Sequence, residues 1–261
     1  MENDDLPIGR VLDRREALKL LAMSSAAVIV GCNRSSAAAA DSSMARQAGA
    51  ASLNLTSVPG CVVKPELTEG PYFVDNQLNR SDIRSDPTTG QVSAGKVLDL
   101  TFTVSQVSDG KCLPLKGAVV DVWHCNAAGE YSGVNDQMQG FNTVGKKFLR
   151  GYQTTSDIGV ARFTTIYPGW YPGRTVHIHF KIRTPYLSDP NKRYDFTSQL
   201  FFDDAFSDKV FASAPYNAKG RRNSGNESDG IFRQSGHSLL LNVFESPASY
   251  MTAFDIALDY T

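Results

Sequence analysis

Histidine and cysteine are scarce in this chain, four of each in 261 residues, and their spacing excludes more than their number does. No two cysteines stand in a C-x-x-C frame, so a structural zinc site of the finger or ribbon kind lacks its ligands. There is no H-E-x-x-H frame, which excludes the common zinc hydrolases, and no carboxylate between Phe180 and Leu187, where a cupin-like site would want one after His177 and His179. Motifs for flavin, haem or nicotinamide cofactors are missing. Long helical periodicity is absent too, and the apolar stretch Leu20 to Gly31 has 12 residues where a bilayer span needs about 20. Neither charge is in excess: 26 Lys and Arg stand against 27 Asp and Glu, and 22 remain of each beyond residue 31. Such neutrality gives no electrostatic reason to expect a nucleic acid or an anionic membrane as partner.

What is present begins with a leader. Arg14-Arg15 precedes the short apolar stretch, and Ile29-Val30-Gly31-Cys32 resembles a lipobox, so residues 1–31 read as a removable signal and Cys32 as a lipid-modified new terminus. Twin-arginine signals resemble those of the route that exports folded proteins, often with a metal already installed. The expectation is therefore a periplasmic or cell-surface protein, lipid-anchored, whose membrane contact runs only through Cys32. Residues 32–57, rich in Ala and Ser with no apolar face, read as a flexible tether, and 58–261 as the folded domain. In an oxidising compartment Cys61, Cys112 and Cys125 allow one internal bridge, with all three pairings open.

The domain reads as all-β. From Val97 the pattern alternates, placing Leu98, Leu100, Phe102 and Val104 on one face. Further strand-like runs are Ala118 to Cys125, Ala161 to Ile166, Val176 to Arg183, Ser198 to Phe202, Ser238 to Val243 and Thr252 to Leu258. Short strands without interleaved helices predict an antiparallel-rich β-sandwich with long loops. Asn191 to Asp195 and Pro215 to Asp229 read as surface loops.

Within Tyr171-Pro172-Gly173-Arg174-Thr175-Val176-His177-Ile178-His179-Phe180-Lys181-Ile182 the strand period puts His177 and His179 on one face, about 6–7 Å apart at the backbone, so that two imidazoles can reach one ion. On spacing alone a solvated sheet face explains them as well, and the other two histidines, His124 and His237, complete no metal frame; His237 is left unassigned.

Three segments carry a resemblance: Thr68-Glu69-Gly70-Pro71-Tyr72-Phe73; Asp121-Val122-Trp123-His124-Cys125-Asn126-Ala127-Ala128-Gly129-Glu130-Tyr131; and Pro168 through Arg174 to His177-Ile178-His179, with Ser198-Gln199-Leu200-Phe201-Phe202 following. In order and spacing they resemble the intradiol ring-cleavage dioxygenases, the family of protocatechuate 3,4-dioxygenases and catechol 1,2-dioxygenases. The resemblance implies a non-haem Fe(III) held by Tyr131, Tyr171, His177 and His179. Two phenolates reduce a formal charge of +3 to +1, and a hard trivalent ion favours such anionic oxygen donors. Carried over likewise, Arg174 stabilises negative charge on the bound ring, Tyr171 leaves as a proton acceptor when a diol chelates, Gln199 lies near the iron, and Tyr72 lines the pocket mouth. His124 is expected to be structural. The implied reaction takes a catechol-type diol and O2 to a cis,cis-muconate-type diacid in aromatic catabolism. Tyr171 stands six residues before His177, closer than is usual in the protocatechuate and catechol enzymes, so the pocket wall built there is expected to differ, and leader and tether are expected to occupy the stretch where catechol 1,2-dioxygenases carry a helical subunit-joining part. The competing expectation is an exported β-sandwich binding module that has lost catalysis.

Overall fold

The computed structural model describes residues 61–185 and 189–260; the leader, Cys32 and the tether lie outside the described residues. Eleven strands, two short helices and several single 3-10 turns follow one another in these residues.

The alternation beginning at Val97 produces β1, Val97–Ser108, with Leu98, Leu100, Phe102 and Val104 all buried. One edge of β1 pairs in parallel with β11, Tyr250–Leu258. Its other edge is shared by β7, Val160–Ile166, and β2, Lys111–Pro114, both antiparallel. β10, Phe244–Glu245, closes on β11. The second sheet runs β6 (Arg150–Thr154), β3 (Val119–Trp123), β8 (His177–Pro185), β9 (Arg193–Phe201), antiparallel throughout. A two-stranded ribbon, β4 (Asn135–Asp136) with β5 (Phe141–Asn142), stands apart. The inner faces meet through aromatic rings. Phe102 of β1 lies 5.3 Å from Phe180 of β8 by ring centroids, and Phe254 of β11 lies 5.5 Å from the same Phe180. Each such ring contributes about 1.5–3 kcal/mol by leaving water, so the sandwich follows from the strand period itself.

Three expectations are corrected. Ser238 to Val243 is not a strand: a 3-10 turn occupies Gly236–Leu239, and only a bridge from Leu240 to Phe201 continues the sheet. The alternation misled because Leu239 and Leu241 do point inward, but the residues run past the end of β9 and find a single backbone partner, Leu241 N–H to the Phe201 carbonyl at 2.8 Å. Asn191 to Asp195 is loop only as far as Lys192, since β9 begins at Arg193. Pro215 to Asp229 is not a surface loop throughout. It carries two 3-10 turns, Tyr216–Lys219 and Asn226–Ser228, and buries Tyr216, Asn226 and Asp229. Two short helices, α1 (Asp204–Phe211) and α2 (Gly230–Ser235), flank it.

The outer face of the second sheet is roofed by the chain from Pro65 to Arg80. Leu67 N–H donates to the Thr197 carbonyl on the free edge of β9 (2.9 Å), and the strap reaches the opposite edge at β6, where Arg80 N–H donates to the Tyr152 carbonyl (3.1 Å). Its start is fastened by a Cys61–Cys112 disulfide to β2, which answers the open pairing and leaves Cys125 a free, buried thiol. Because this strap covers β8, residues that would otherwise face solvent are buried on both sides of the strand.

Candidate active site

Entry into β8 sets the site. Gly173 takes φ of +84° in the turn after Tyr171-Pro172, a conformation open to glycine, and delivers Arg174 and Thr175 directly into the strand. From there His177 and His179 project together under the strap, 2% and 1% exposed. Tyr131 arrives from the loop after β3. Asn126 organises that loop by accepting Ala128 N–H (2.9 Å) and Glu130 N–H (3.0 Å), and a Cβ at Gly129 would fall 2.1 Å from the Trp170 carbonyl oxygen, so no other residue fits there.

The structure brings all four expected ligand side chains together. Tyr131 Oη lies 3.3 Å from His177 Nε2, Tyr171 Oη 3.0 Å from the same atom, and the two imidazole Nε2 atoms are 3.1 Å apart. Donor atoms held about 2.1 Å from one ion sit about 3.0–3.4 Å from one another, which is the spacing seen. The tautomers suit an ion as well. His177 Nδ1–H donates to the Thr175 carbonyl at 2.6 Å, leaving the Nε2 lone pair facing its neighbours. His179 Nδ1 is a buried polar atom with no protein partner, and the ring is held instead against Trp123, centroids 5.0 Å apart and planes 8° apart.

Electrostatics point the same way. Burial pushes the Tyr171 phenol up to about 12 and the Tyr131 phenol well above its usual range, while burial and the Arg174 charge push His177 down to about 3. His179 is held well below the ordinary imidazole value, first by burial and then because a second proton beside His177 would be repelled. All four groups are therefore neutral on their own, and only a strong positive charge among them would convert the phenols to phenolates. Among the described residues no cluster of three or more His, Cys, Asp and Glu could hold a metal, so phenol oxygen would have to share in any ligation here.

Arg174 and Gln199 come together beside this cluster. Arg174 Nε donates to Asp229 Oδ2 at 2.9 Å and Nη2 to Gln199 Oε1 at 2.5 Å; Gln199 Nε2 then donates to the Thr68 carbonyl at 2.9 Å. Both ends of the Gln199 amide are thereby engaged, and its contact is with Arg174. Tyr72 stacks on Tyr131 (centroids 4.3 Å) and stands edge-on to Tyr171 (6.0 Å), its hydroxyl donating to Asp136 Oδ2 at 2.5 Å and accepting from Gln139 Nε2 at 2.8 Å. The strap passes so close that a Cβ at Gly70 would lie 3.4 Å from His179 Cε1.

His124 is structural, as expected: its Nδ1–H donates to the Cys125 carbonyl (2.8 Å) and Nε2 accepts from Thr165 Oγ1 (2.7 Å) in full burial. His237 stands at the surface, 3.5 Å from Glu227. Sequence reasoning missed Asp229 and the ring-holding role of Trp123. Asp229 was legible only as a helix N-cap ahead of Gly230-Ile231-Phe232, and nothing local links it to Arg174, 55 residues earlier.

Several known proteins are similar to this chain. The family profile described as Dioxygenase matches residues 68–224. The beta chain of protocatechuate 3,4-dioxygenase from Burkholderia cepacia is 29% identical over 161 residues, 57% of this chain and 61% of that protein. Chlorocatechol 1,2-dioxygenase from Pseudomonas putida is 29% identical over 174 residues, 60% of each. The chain thus spans about three fifths of the length of these curated relatives. Among solved structures, an intradiol ring-cleavage dioxygenase from Tetranychus urticae superposes with a TM-score of 0.64 at 31% identity, covering 76% of this chain and 95% of that one. The dioxygenase domain of a carbohydrate-binding fusion protein from Streptomyces sp. SirexAA-E gives 0.52 at 26% identity, with 77% and 100% covered.

Proposed function

The chain belongs to the intradiol ring-cleavage dioxygenase family, and from that premise we propose that it is a ferric-iron enzyme that opens a catechol-type diol with O2 between its two hydroxyl-bearing carbons, giving a cis,cis-muconate-type diacid. The observation that carries the proposal is the convergence of the Tyr131 and Tyr171 hydroxyls and His179 Nε2 on His177 Nε2, each at 3.0 to 3.3 Å. Bound by these four, Fe(III) would supply Lewis acidity toward both diol oxygens and activate the ring toward O2.

The protein's own residues do the rest. Held as a phenolate when the ion is bound, Tyr171 would take one proton of the incoming diol at Oη, and the Arg174 charge favours that phenolate against the cost of its burial. His177 and His179 stay neutral and keep their lone pairs available, since burial disfavours their protonation. Arg174 is held through Nε and Nη2, which leaves Nη1 for negative charge developing on the ring. The strap with Gly70 and Tyr72 excludes water from the far side. Tyr72 forms the wall against which an aromatic substrate would lie.

The same proposal includes export and anchoring. Its support is Arg14-Arg15 ahead of the apolar stretch and the lipobox-like Ile29 to Cys32, and a Cys61–Cys112 disulfide agrees with an oxidising compartment. No helix among the described residues is long and apolar enough to cross a membrane. Oxygen uptake by iron-loaded protein across a panel of catechols, with products identified by mass, tests the reaction. Uptake with a ring-opened diacid is expected; a protein that binds one iron per chain yet consumes no O2 with any diol sinks the proposal.

A further inference from the structure

Resting on the dioxygenase reading, we infer that Asp229 is a positioning residue of the active centre, holding the Arg174 guanidinium and the Arg174–Thr175 backbone in place from a segment far along the chain. Its side chain is 1% exposed and divides its two oxygens between two tasks. Oδ1 caps α2, accepting Ile231 N–H at 2.8 Å and Phe232 N–H at 3.2 Å. Oδ2 accepts Arg174 Nε–H at 2.9 Å and Thr175 N–H at 2.8 Å.

The first task does not require a carboxylate. Serine or asparagine caps a helix about as well, and a buried carboxylate is costly unless it is paired and hydrogen-bonded. Among the described residues the second oxygen, with the negative charge it brings, serves Arg174 and Thr175. Asn226 adds a parallel strut from the same turn, accepting Thr175 Oγ1–H at 2.6 Å and anchoring its own Nδ2–H to the Phe202 carbonyl at 2.9 Å. Thr175 in turn offers its carbonyl to His177 Nδ1–H. One turn, Asn226 to Asp229, therefore fixes both the cation and the backbone that orients an imidazole. Asp229 also offsets the Arg174 charge, so the pair adds direction to the site without adding net charge.

The test compares Asp229→Ser, Arg174→Gln and the double variant, as full chains loaded with iron. Asp229→Ser keeps a cap on α2 and loses the acceptor for Arg174. Turnover is expected to fall about 10- to 100-fold, the range for losing a partner that orients a group of an active centre, with KM within about 3-fold and the visible iron band unchanged. The double variant should turn over no more slowly than Arg174→Gln alone, because the two residues act as one unit. Wild-type turnover in Asp229→Ser, or effects that multiply in the double variant, would overturn the inference. A second readout needs neither iron nor activity: in the metal-free protein the Arg174 Nε–H resonance should exchange slowly in the wild type and rapidly in Asp229→Ser. Unchanged protection overturns the inference even if no diol is ever cleaved, whereas an inactive wild type with the expected exchange pattern removes the dioxygenase reading and leaves the Asp229 contact standing. Should Asp229→Ser not fold, Asp229→Asn carries the same comparisons.

Discussion

Trp123 lies flat on His179, ring planes 8° apart and centroids 5.0 Å apart, across the β3–β8 pair in which the two residues are direct partners. His177 is oriented by a hydrogen bond and His179 by a stack. Trp123→Leu should therefore loosen one ligand selectively, lowering iron affinity about 10-fold, in the range found when supporting groups around a metal are removed. Trp123→Phe should retain most of it. Competition of each variant against a chelator of known affinity checks this.

The two phenols make an optical prediction. Iron-loaded protein should be burgundy from tyrosinate-to-iron charge transfer, and Tyr131→Phe should weaken or shift that band while leaving the fold intact. A visible absorption spectrum at matched iron content decides it; a colourless protein with stoichiometric iron would remove the phenolates from the centre.

Gly70 sits at φ of +70° with His179 Cε1 3.4 Å from where its Cβ would be. Gly70→Ala adds left-handed strain of about 1–2 kcal/mol in the strap segment that touches the His179 ring. A lower melting temperature together with reduced iron retention is expected; a surface-loop glycine would show at most the first effect.

The Cys61–Cys112 bridge closes a 51-residue separation at the root of the strap. Chain-entropy arguments give it about 4 kcal/mol as an upper value, so urea denaturation with and without reductant should show the midpoint falling on reduction. Cys112→Ser should reproduce the reduced midpoint and be insensitive to reductant.

Glu66 is half-buried at the start of the strap, and burial raises its carboxyl from 4.5 to about 7. Because the folded value is the higher one, the folded state favours the protonated form. Stability is fully present below pH 4.5 and declines as pH rises to about 7. After discounting for solvent screening the loss is about 1 kcal/mol. Glu66→Gln should flatten that stretch of a stability-against-pH curve; an unchanged slope would assign it to another group.

How far the molecule could be read from its residues differs by feature. β1 and β8 were legible because both faces of a strand leave a period-2 record, and the residues of the candidate site were legible because three motifs keep their order along the chain. The Ser238 to Val243 run shows the limit: inward Leu239 and Leu241 write a strand pattern, but pairing needs a neighbouring edge that the chain order does not reveal. The Pro215 to Asp229 stretch shows the converse, since polar, Gly-rich composition hides a buried carboxylate whose partner is distant.

By itself, the order of residues determined an all-β domain and the pair of imidazoles on one strand face, because side-chain direction in a strand is a local property. Tertiary structure alone decided that a strap would roof that face, that Cys61 would choose Cys112, that His179 would lie against Trp123 and that Asp229 would reach Arg174. Those contacts join segments tens of residues apart or opposite sheet edges, and their energies depend on burial and on which chain passes overhead, neither of which has any signature in the spacing of nearby residues.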